Sequence, residues 1–456
     1  MVRKGHVLVI PYPAQGHVKP LMHLSLRLSF LDFKVTFVNT EFNHKRVITS
    51  ANHPIDSSVS LVSISDGLGF EDDRTDIAKL CESILNTMPE KLEELIRDIN
   101  IKGLKKGDED GVISCVVADG YMGWVRNVAD KLGIKVAVAW PSSAAMFSLL
   151  QKVPQLIDQG YIDHQGFTTN KQILELSPRI PPFDTQNFPW NSFGDSNSQK
   201  KTMFKYLKKT LEDSLQTEWI LCNSAFLLEH GSFSLSPTLS PIGPLMTPIS
   251  PNQNSAAQFW KEDPTCLKWL DQQPHQSVIY VAFGSFTIFD QTQFEQLALA
   301  LQLTNKPFLW VVRPEITQNQ KYPDGFEPKN GRIVGWVPQH KVLSHPSIAC
   351  FVSHCGWNST IEGISNGVPF LCWPYFGDQF LNKGYICDSW RVGLGLEKDE
   401  MGIIRKEELK GEIEQLIGDK SIKERCLKVM KIMRNNVEEG GDSFTNFSKF
   451  IKWLEG

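Results

Sequence analysis

Continuous apolar runs alternate with helical stripes along this chain, and they do so in two series. "HVLVIPYP" (residues 6–13) is apolar on every position rather than on every second one, as in strands covered on both faces. After a short loop, "AQGH", the stretch "KPLMHLSLRLSFL" places Leu21, Leu24, Leu28 and Leu31 on one helical stripe, and "KVTFVNT" is the next strand. Strand, helix and strand of this kind make a βαβ unit, which requires a parallel sheet and a right-handed crossover. "GVISCVVADG", ending near Asp119, then a helix closed by Gly133, then "KVAVAW" continue the series, and "WILCNS" (219–224) reads as its last strand.

Residues 236–264 interrupt it. They are rich in proline, serine and asparagine and have no apolar period, as expected of a linker. The alternation then restarts with "SVIYVAFGS", a helix, "FLWVVRP", "ACFVSHCG", a helix at "NSTIEGISNG", and "PFLCWPY"; the last fifty residues are mostly helical and charged. At about 100–200 residues per domain, 456 residues accommodate two large domains. The expected class is α/β, with two doubly wound parallel sheets facing across a cleft. Ligands of such sheets sit beyond the carboxyl ends of the strands, so the residues just after strands matter most.

Composition narrows the partners. A formal net charge of -4 and scattered basic pairs such as Lys200-Lys201 give no field suited to nucleic acid or an anionic membrane. The N-terminal "MVRKGHVLVIPYPAQGH" has basic residues before an apolar run. That run is broken by Pro11 and Pro13 and reads as a buried strand rather than a signal peptide. No apolar stretch reaches the roughly 18 residues a membrane helix needs. The nine cysteines show no C-x-x-C spacing, which suggests free thiols in a reducing compartment and no metal site. The expectation is a cytoplasmic monomer with no stable membrane insertion.

The densest polar cluster is "HCGWNSTIEG", residues 354–363, at a strand-to-helix turn. Ser359-x-x-Glu362 fits a capping box, in which the two side chains satisfy the helix's own amides. That reading leaves His354, Trp357 and Asn358 unexplained. A helix start also attracts phosphate, Gly356 admits close backbone approach, and Asn358 and Ser359 add donors. The helix-end field contributes only about 0.3–1 kcal/mol, so a nucleotide needs further contacts. Trp336 is placed to stack on a base, Glu362 to accept from ribose hydroxyls, and Ser285 to donate to a phosphate. A core aromatic and a strand-end cap are the alternatives for Trp336 and Ser285. Neither a Walker pattern nor G-x-G-x-x-G is present, which argues against ATP and nicotinamide fingerprints.

In the first series, His17 follows the first strand and Asp119 ends another strand of the same sheet. An imidazole takes a proton near neutral pH, and a carboxylate on its other nitrogen fixes the tautomer and stabilises the cation. A cap or structural role is the alternative for His17, and the pairing with Asp119 favours a general base.

These residues resemble those of plant secondary-product UDP-glycosyltransferases. The likeness is carried by "WVPQHKVLSHPSIACFVSHCGWNSTIEGISNGVPFLCWPYFGDQ" (336–379), by the opening "PYPAQGHVKPLMHL", by "IGPL" and by "SVIYVAFGS", and it spans essentially the whole chain. It implies a GT-B fold, with an acceptor-binding domain at residues 1–245, a linker at 246–264 and a UDP-sugar-binding domain at 265–440. A final helix, about 441–456, is implied to pack back on the first domain. It also implies metal-independent, inverting transfer, with UDP-glucose as donor co-substrate and no other cofactor. Trp336 and the Val337 backbone then hold the uracil, and Gln339 and Glu362 hold the ribose. His354, Gly356, Asn358, Ser359 and Ser285 surround the diphosphate. Trp357, Asp378 and Gln379 meet the sugar, a final glutamine in this stretch usually accompanying glucose.

The expected acceptor is a small lipophilic alcohol, phenol or acid. It would be read by the loop around "SISDGLGFEDDR", by "MFSLL" and by "IPPFDTQNFPW". One departure stands out. Some relatives place a sugar-contacting threonine after "AW"; here Pro141 has no side-chain donor, and Ser142 or Ser143 is the available substitute. Two other classes fit the sequence less well. A non-catalytic nucleotide-sugar binder has no need of His17 and Asp119, and a nicotinamide oxidoreductase lacks its glycine fingerprint here.

Overall fold

The computed structural model describes residues 4–50, 58–105, 111–194, 196–245 and 258–456. Residues 246–257, most of the expected linker, therefore lie outside the described residues. The chain forms two compact units. The first comprises Met1–Phe259 with Phe376–Asp378 and Asn435–Gly456; the second comprises Trp260–Tyr375 with Gln379–Arg434.

Among the described residues nine strands belong to the first unit: β1 (His6–Ile10), β2 (Lys34–Thr40), β3 (Val59–Ile64), β4 (Ile113–Asp119), β5 (Lys135–Trp140), β6 (Ile173–Leu174), β7 (Phe183–Asp184), β8 (Trp219–Cys222) and β9 (Leu239–Pro241). Seven make one sheet in the order β3-β2-β1-β4-β5-β8-β9, all pairs parallel, while β6 and β7 form a small antiparallel pair. Every residue of β1 is buried, which is why the run is continuously apolar. Its one polar member, His6, bonds the Gly111 carbonyl at 2.9 Å and Thr36 Oγ1 at 2.8 Å. Strand order reverses direction between β1 and β4, so their carboxyl ends flank the position where such sheets bind ligands.

Two expectations are corrected here. The helix after β1 begins at Gln15, not Lys19, and runs to Phe30. Residues 15–17 carry no apolar period to reveal this first turn, and Pro20 sits inside the helix rather than near its start. His17 is thus a helical residue, its amide bonded to the Ala14 carbonyl at 2.9 Å. The sheet also extends past the strand at 219–222. β9 lies within the proline-rich stretch and, at three residues, is too short to show a period.

The last helix, Asp442–Glu455, packs within the first unit. Asn446 Nδ2 donates to the Pro241 carbonyl at 3.0 Å, Phe450 meets Trp219 at 5.6 Å between ring centroids, and Glu455 pairs with Lys4 at 2.8 Å.

The second unit holds β10 (Val278–Ala282), β11 (Phe308–Val311), β12 (Gly331–Val334), β13 (Ile348–Ser353), β14 (Phe370–Cys372) and β15 (Gly393–Gly395). They form one parallel sheet, ordered β12-β11-β10-β13-β14-β15, with its reversal between β10 and β13. All nine cysteines are free. No helix among the described residues is long and apolar enough to cross a membrane.

Candidate active site

In the first unit the reversal point carries a histidine and a carboxylate. His17, in the first turn after β1, and Asp119, the last residue of β4, are joined through Nδ1 and Oδ2 at 2.9 Å. Asp119 is fully buried, while the His17 side chain keeps 16% of its surface exposed. The second carboxylate oxygen, Oδ1, accepts from the Tyr121 amide at 2.8 Å, so the acid cannot rotate away. With Nδ1–H donating to Asp119, the ring carries its lone pair on Nε2, the arrangement a general base requires. Two aromatic rings hold the imidazole, Tyr12 at 5.1 Å and Tyr121 at 4.9 Å. Neither tyrosine was singled out in the sequence, because each reads there as one more apolar residue beside a strand.

The neighbouring segments differ in how much they leave available. Ser143 is buried and caps the helix Ala144–Gln151, accepting from the Met146 amide. Ser142 is buried as well. Of the segments expected to read the acceptor, Phe188 and Trp190 stack on each other at 4.7 Å, fully buried, and "MFSLL" is buried throughout. The loop around 63–74 is tied by Arg74, whose guanidinium grips both oxygens of Asp66 at 3.0 and 2.9 Å and the carbonyls of Leu68, Gly69 and Asp72. Asp378 belongs to the short Phe376–Asp378 stretch of this unit and lies partly buried.

In the second unit, Ser285 follows β10, Trp336 follows β12 and His354 follows β13, on one rim of a parallel sheet. The helix Trp357–Ser365 starts at an N-cap Gly356 that offers no side-chain cap. The capping box does not form. Ser359 Oγ and Glu362 Oε2 instead accept from Gln339 Nε2 at 3.0 and 2.7 Å, and Gln339 Oε1 accepts from the Tyr280 hydroxyl at 3.0 Å. The N-cap is Gly356, so Ser359 lies within the first turn and not at the cap, and Gln339, which opens the helix Gln339–Leu343 alongside, takes both side chains. Gln339 and Glu362, paired by the resemblance, are therefore in direct contact.

His354 is wedged between two glycines. A Cβ added at Gly284 would stand 2.7 Å from its Nε2, and one at Gly356 2.4 Å. Burial pushes its pKa down to about 4, helped by the Arg313 cation and opposed by a bond to the Ala282 carbonyl. The ring is neutral at pH 7, and its Nδ1 has no hydrogen-bond partner among the described residues. Trp357, Glu362 and Gln379 are buried, Val337 is buried behind Trp336, and Asn358 is half-buried. Gln379 Oε1 accepts from the Tyr375 amide at 2.8 Å.

Trp336 stacks on Trp260 at 4.7 Å and 29°. Trp260 escaped the sequence reading because it lies in the presumed linker. Arg313 escaped it too: buried at the end of β11, it donates to the carbonyls of Ser285 and, at 2.6 Å, Thr287. Its signal was available, a lone arginine closing the apolar run "FLWVV".

Two Rossmann-like units with parallel sheets, each carrying polar side chains at its reversal point, define the GT-B class of glycosyltransferases. Residues 237–442 match the family described as UDP-glucoronosyl and UDP-glucosyl transferase, and residues 4–65 match a glycosyltransferase N-terminal domain. UDP-glycosyltransferase 83A1 of Arabidopsis thaliana is 42% identical, over 99% of this chain and 97% of the relative. The 7-deoxyloganetin glucosyltransferase of Catharanthus roseus is 33% identical, over 99% and 97%. Among solved structures, Os79 from O. sativa in complex with UDP matches with a TM-score of 0.81 at 26% identity, covering 98% of this chain and 100% of that one. A UDP-glucosyltransferase from Polygonum tinctorium capable of glucosylating indoxyl gives 0.82 at 26%, covering 100% of both. The chain belongs to the plant family 1 UDP-glycosyltransferases and is a glycosyltransferase.

Proposed function

We propose that this enzyme transfers glucose from UDP-glucose, with inversion, to a hydroxyl or carboxyl group of a small lipophilic metabolite. The observation that carries the proposal is the bond between His17 Nδ1 and the buried Asp119 carboxylate. It leaves Nε2 free to take the acceptor's proton as the acceptor oxygen attacks the anomeric carbon. Asp119, anchored by the Tyr121 amide, stabilises the imidazolium that forms. Attack from the face opposite the leaving group turns an α-linked donor into a β-glucoside, and UDP departs with the bonding electron pair.

In this reading the donor contacts come from the second unit, apart from Asp378 of the first. Trp336 and the Val337 backbone meet the uracil, and the joined Gln339 and Glu362 meet the ribose. The helix start at Gly356, which offers no side-chain cap, receives the diphosphate and the charge that grows on it together with Asn358, Ser359 and Ser285. His354, wedged between Gly284 and Gly356, fixes the turn beside the diphosphate. Trp357, Asp378 and Gln379 contact the hexose, and Gln379 supports glucose as donor. No step calls for a metal, and the reaction takes place in the cytoplasm by a monomer.

Incubation with UDP-glucose and a mixed panel of alcohols, phenols and acids should give hexosylated products by mass spectrometry. His17→Ala should bind UDP as the parent does yet form product about 10²–10⁴ times more slowly. Equal product formation by that variant removes His17 from the mechanism.

A further inference from the structure

Glu229 is a carboxylate that the reaction does not use. It follows β8 and is fully buried, and among the described residues it has no ion-pair partner. Its Oε2 accepts from the Ala144 amide at 3.0 Å and the Ser224 hydroxyl at 2.6 Å, and its Oε1 from the Ala145 amide at 3.1 Å. Those amides open the helix Ala144–Gln151, so the carboxylate sits where a helix start favours negative charge.

The turn it holds, residues 141–143, leads towards the base. Cys222 Sγ donates to the Ser142 carbonyl at 3.7 Å, and Trp140 Nε1 donates to the Ser143 carbonyl at 3.0 Å. Trp140 also meets the Tyr121 ring edge-on at 5.8 Å between centroids. Tyr121 in turn packs on the His17 ring and gives its amide to Asp119. From Glu229 to His17 the contacts are continuous and lie within one unit.

We infer that Glu229 is a positioning residue for catalysis: its ionised carboxylate fixes the turn after β5, and through Trp140 and Tyr121 that turn sets the orientation of His17. The inference rests on the reading of His17 as the base.

It carries a pH signature. Burial pushes the Glu229 carboxyl up to about 7, against the pull of Ser224, Ala144 and Ala145, and Asp378 adds to the rise. The titratable groups facing it are the Cys222 thiol on β8 and Asp378; the helix presents only backbone amides. On protonation one oxygen becomes a donor confronting donors, and the turn loosens. The folded carboxyl keeps its proton at pH values where the unfolded one has lost it. The fold therefore gains stability as pH falls from about 7 towards 4.5, while the base loses its alignment. Stability and turnover move in opposite directions across that window.

The test measures kcat for glucosyl transfer, KM for UDP-glucose and thermal midpoint between about pH 6 and 8 for the parent, Glu229→Gln and Ser224→Ala. In the parent, log kcat should fall below about pH 7 more steeply than one proton allows, while the thermal midpoint rises. Glu229→Gln should reduce the slope to that of one proton, flatten the midpoint and lower kcat by roughly tenfold, with KM for UDP-glucose little changed. Ser224→Ala removes one donor, so the same transition should move up by roughly half a pH unit. It serves as the deciding variant if Glu229→Gln does not fold. An active parent whose slope Glu229→Gln leaves intact, or whose transition Ser224→Ala leaves in place, overturns the assignment of Glu229. A parent with no glucosyl transfer overturns the reading of the reaction instead.

Discussion

Gln339 shows how much of this site is set before any ligand arrives. Its carbonyl oxygen receives the Tyr280 hydroxyl, and its amide nitrogen serves Ser359 and Glu362. The amide therefore has one orientation, and it fixes the Glu362 carboxylate proposed to meet the ribose. Removing the amide with Gln339→Ala should weaken UDP binding by about 10- to 100-fold, the range of a charge-assisted hydrogen bond. Tyr280→Phe takes away only the distal support and should weaken it by roughly threefold to tenfold. Isothermal titration with UDP decides the matter, and an unchanged affinity in both variants would sever this pair from the nucleotide. At this scale the sequence was uneven. Glu362 stood out in a polar strand-to-helix turn, and Gln339 only through the family likeness of its stretch. Tyr280, inside "SVIYVAFGS", looks in one dimension like any other member of a buried strand. Its hydroxyl acquires meaning only when the neighbouring turn is folded against it.

At the scale of elements, the turn between β13 and the helix Trp357–Ser365 depends on glycines in two separate segments. Gly284 adopts φ +68, where a side chain is strained, and a Cβ there would meet the His354 ring at 2.7 Å. Gly133 has nearly the same φ, +67, with nothing within 4 Å. The pair separates strain from contact. Gly133→Ala should cost about 1–2 kcal/mol of stability and leave UDP affinity as it was. Gly284→Ala should cost at least as much and also weaken UDP binding, because the imidazole must move out of its slot. Thermal midpoints and UDP titrations of both variants check this, and equal UDP affinities would mean that the position of the His354 ring does not matter to the nucleotide. The same turn shows where pattern reading fails. Ser359-x-x-Glu362 has the spacing of a capping box, yet the helix starts earlier, at the N-cap Gly356, so Ser359 lies inside its first turn and a glutamine from an adjacent helix takes both side chains. The start of the helix at Gln15 was hidden for a related reason: polar first-turn residues have no apolar period. The βαβ alternation was legible throughout because burial on both faces of a sheet leaves a continuous apolar mark.

For the whole molecule, the course of the chain gives the last helix an importance out of proportion to its length. Residues Asn435–Gly456 belong to the first unit, although the preceding residues to Arg434 belong to the second. The helix Asp442–Glu455 buries Phe450, Ile451 and Leu454. It sets Phe450 and Trp453 against Trp219 on β8 and gives Asn446 to the last carbonyl of β9. Burial of three large apolar side chains is worth on the order of 5 kcal/mol, comparable to the net stability of a whole domain. Deletion of residues 442–456 should therefore destabilise the first unit specifically, exposing the edge of its sheet at β8 and β9. The proposed contacts to uracil, ribose and diphosphate all come from the second unit, between Ser285 and Glu362. UDP affinity should thus stay within about threefold of the parent value, while the first thermal transition falls by several degrees and glucosyl transfer is lost. Calorimetry with and without UDP distinguishes this from a general collapse. A truncated chain that loses UDP binding along with its lower transition would show that the second unit does not hold the nucleotide independently of the first.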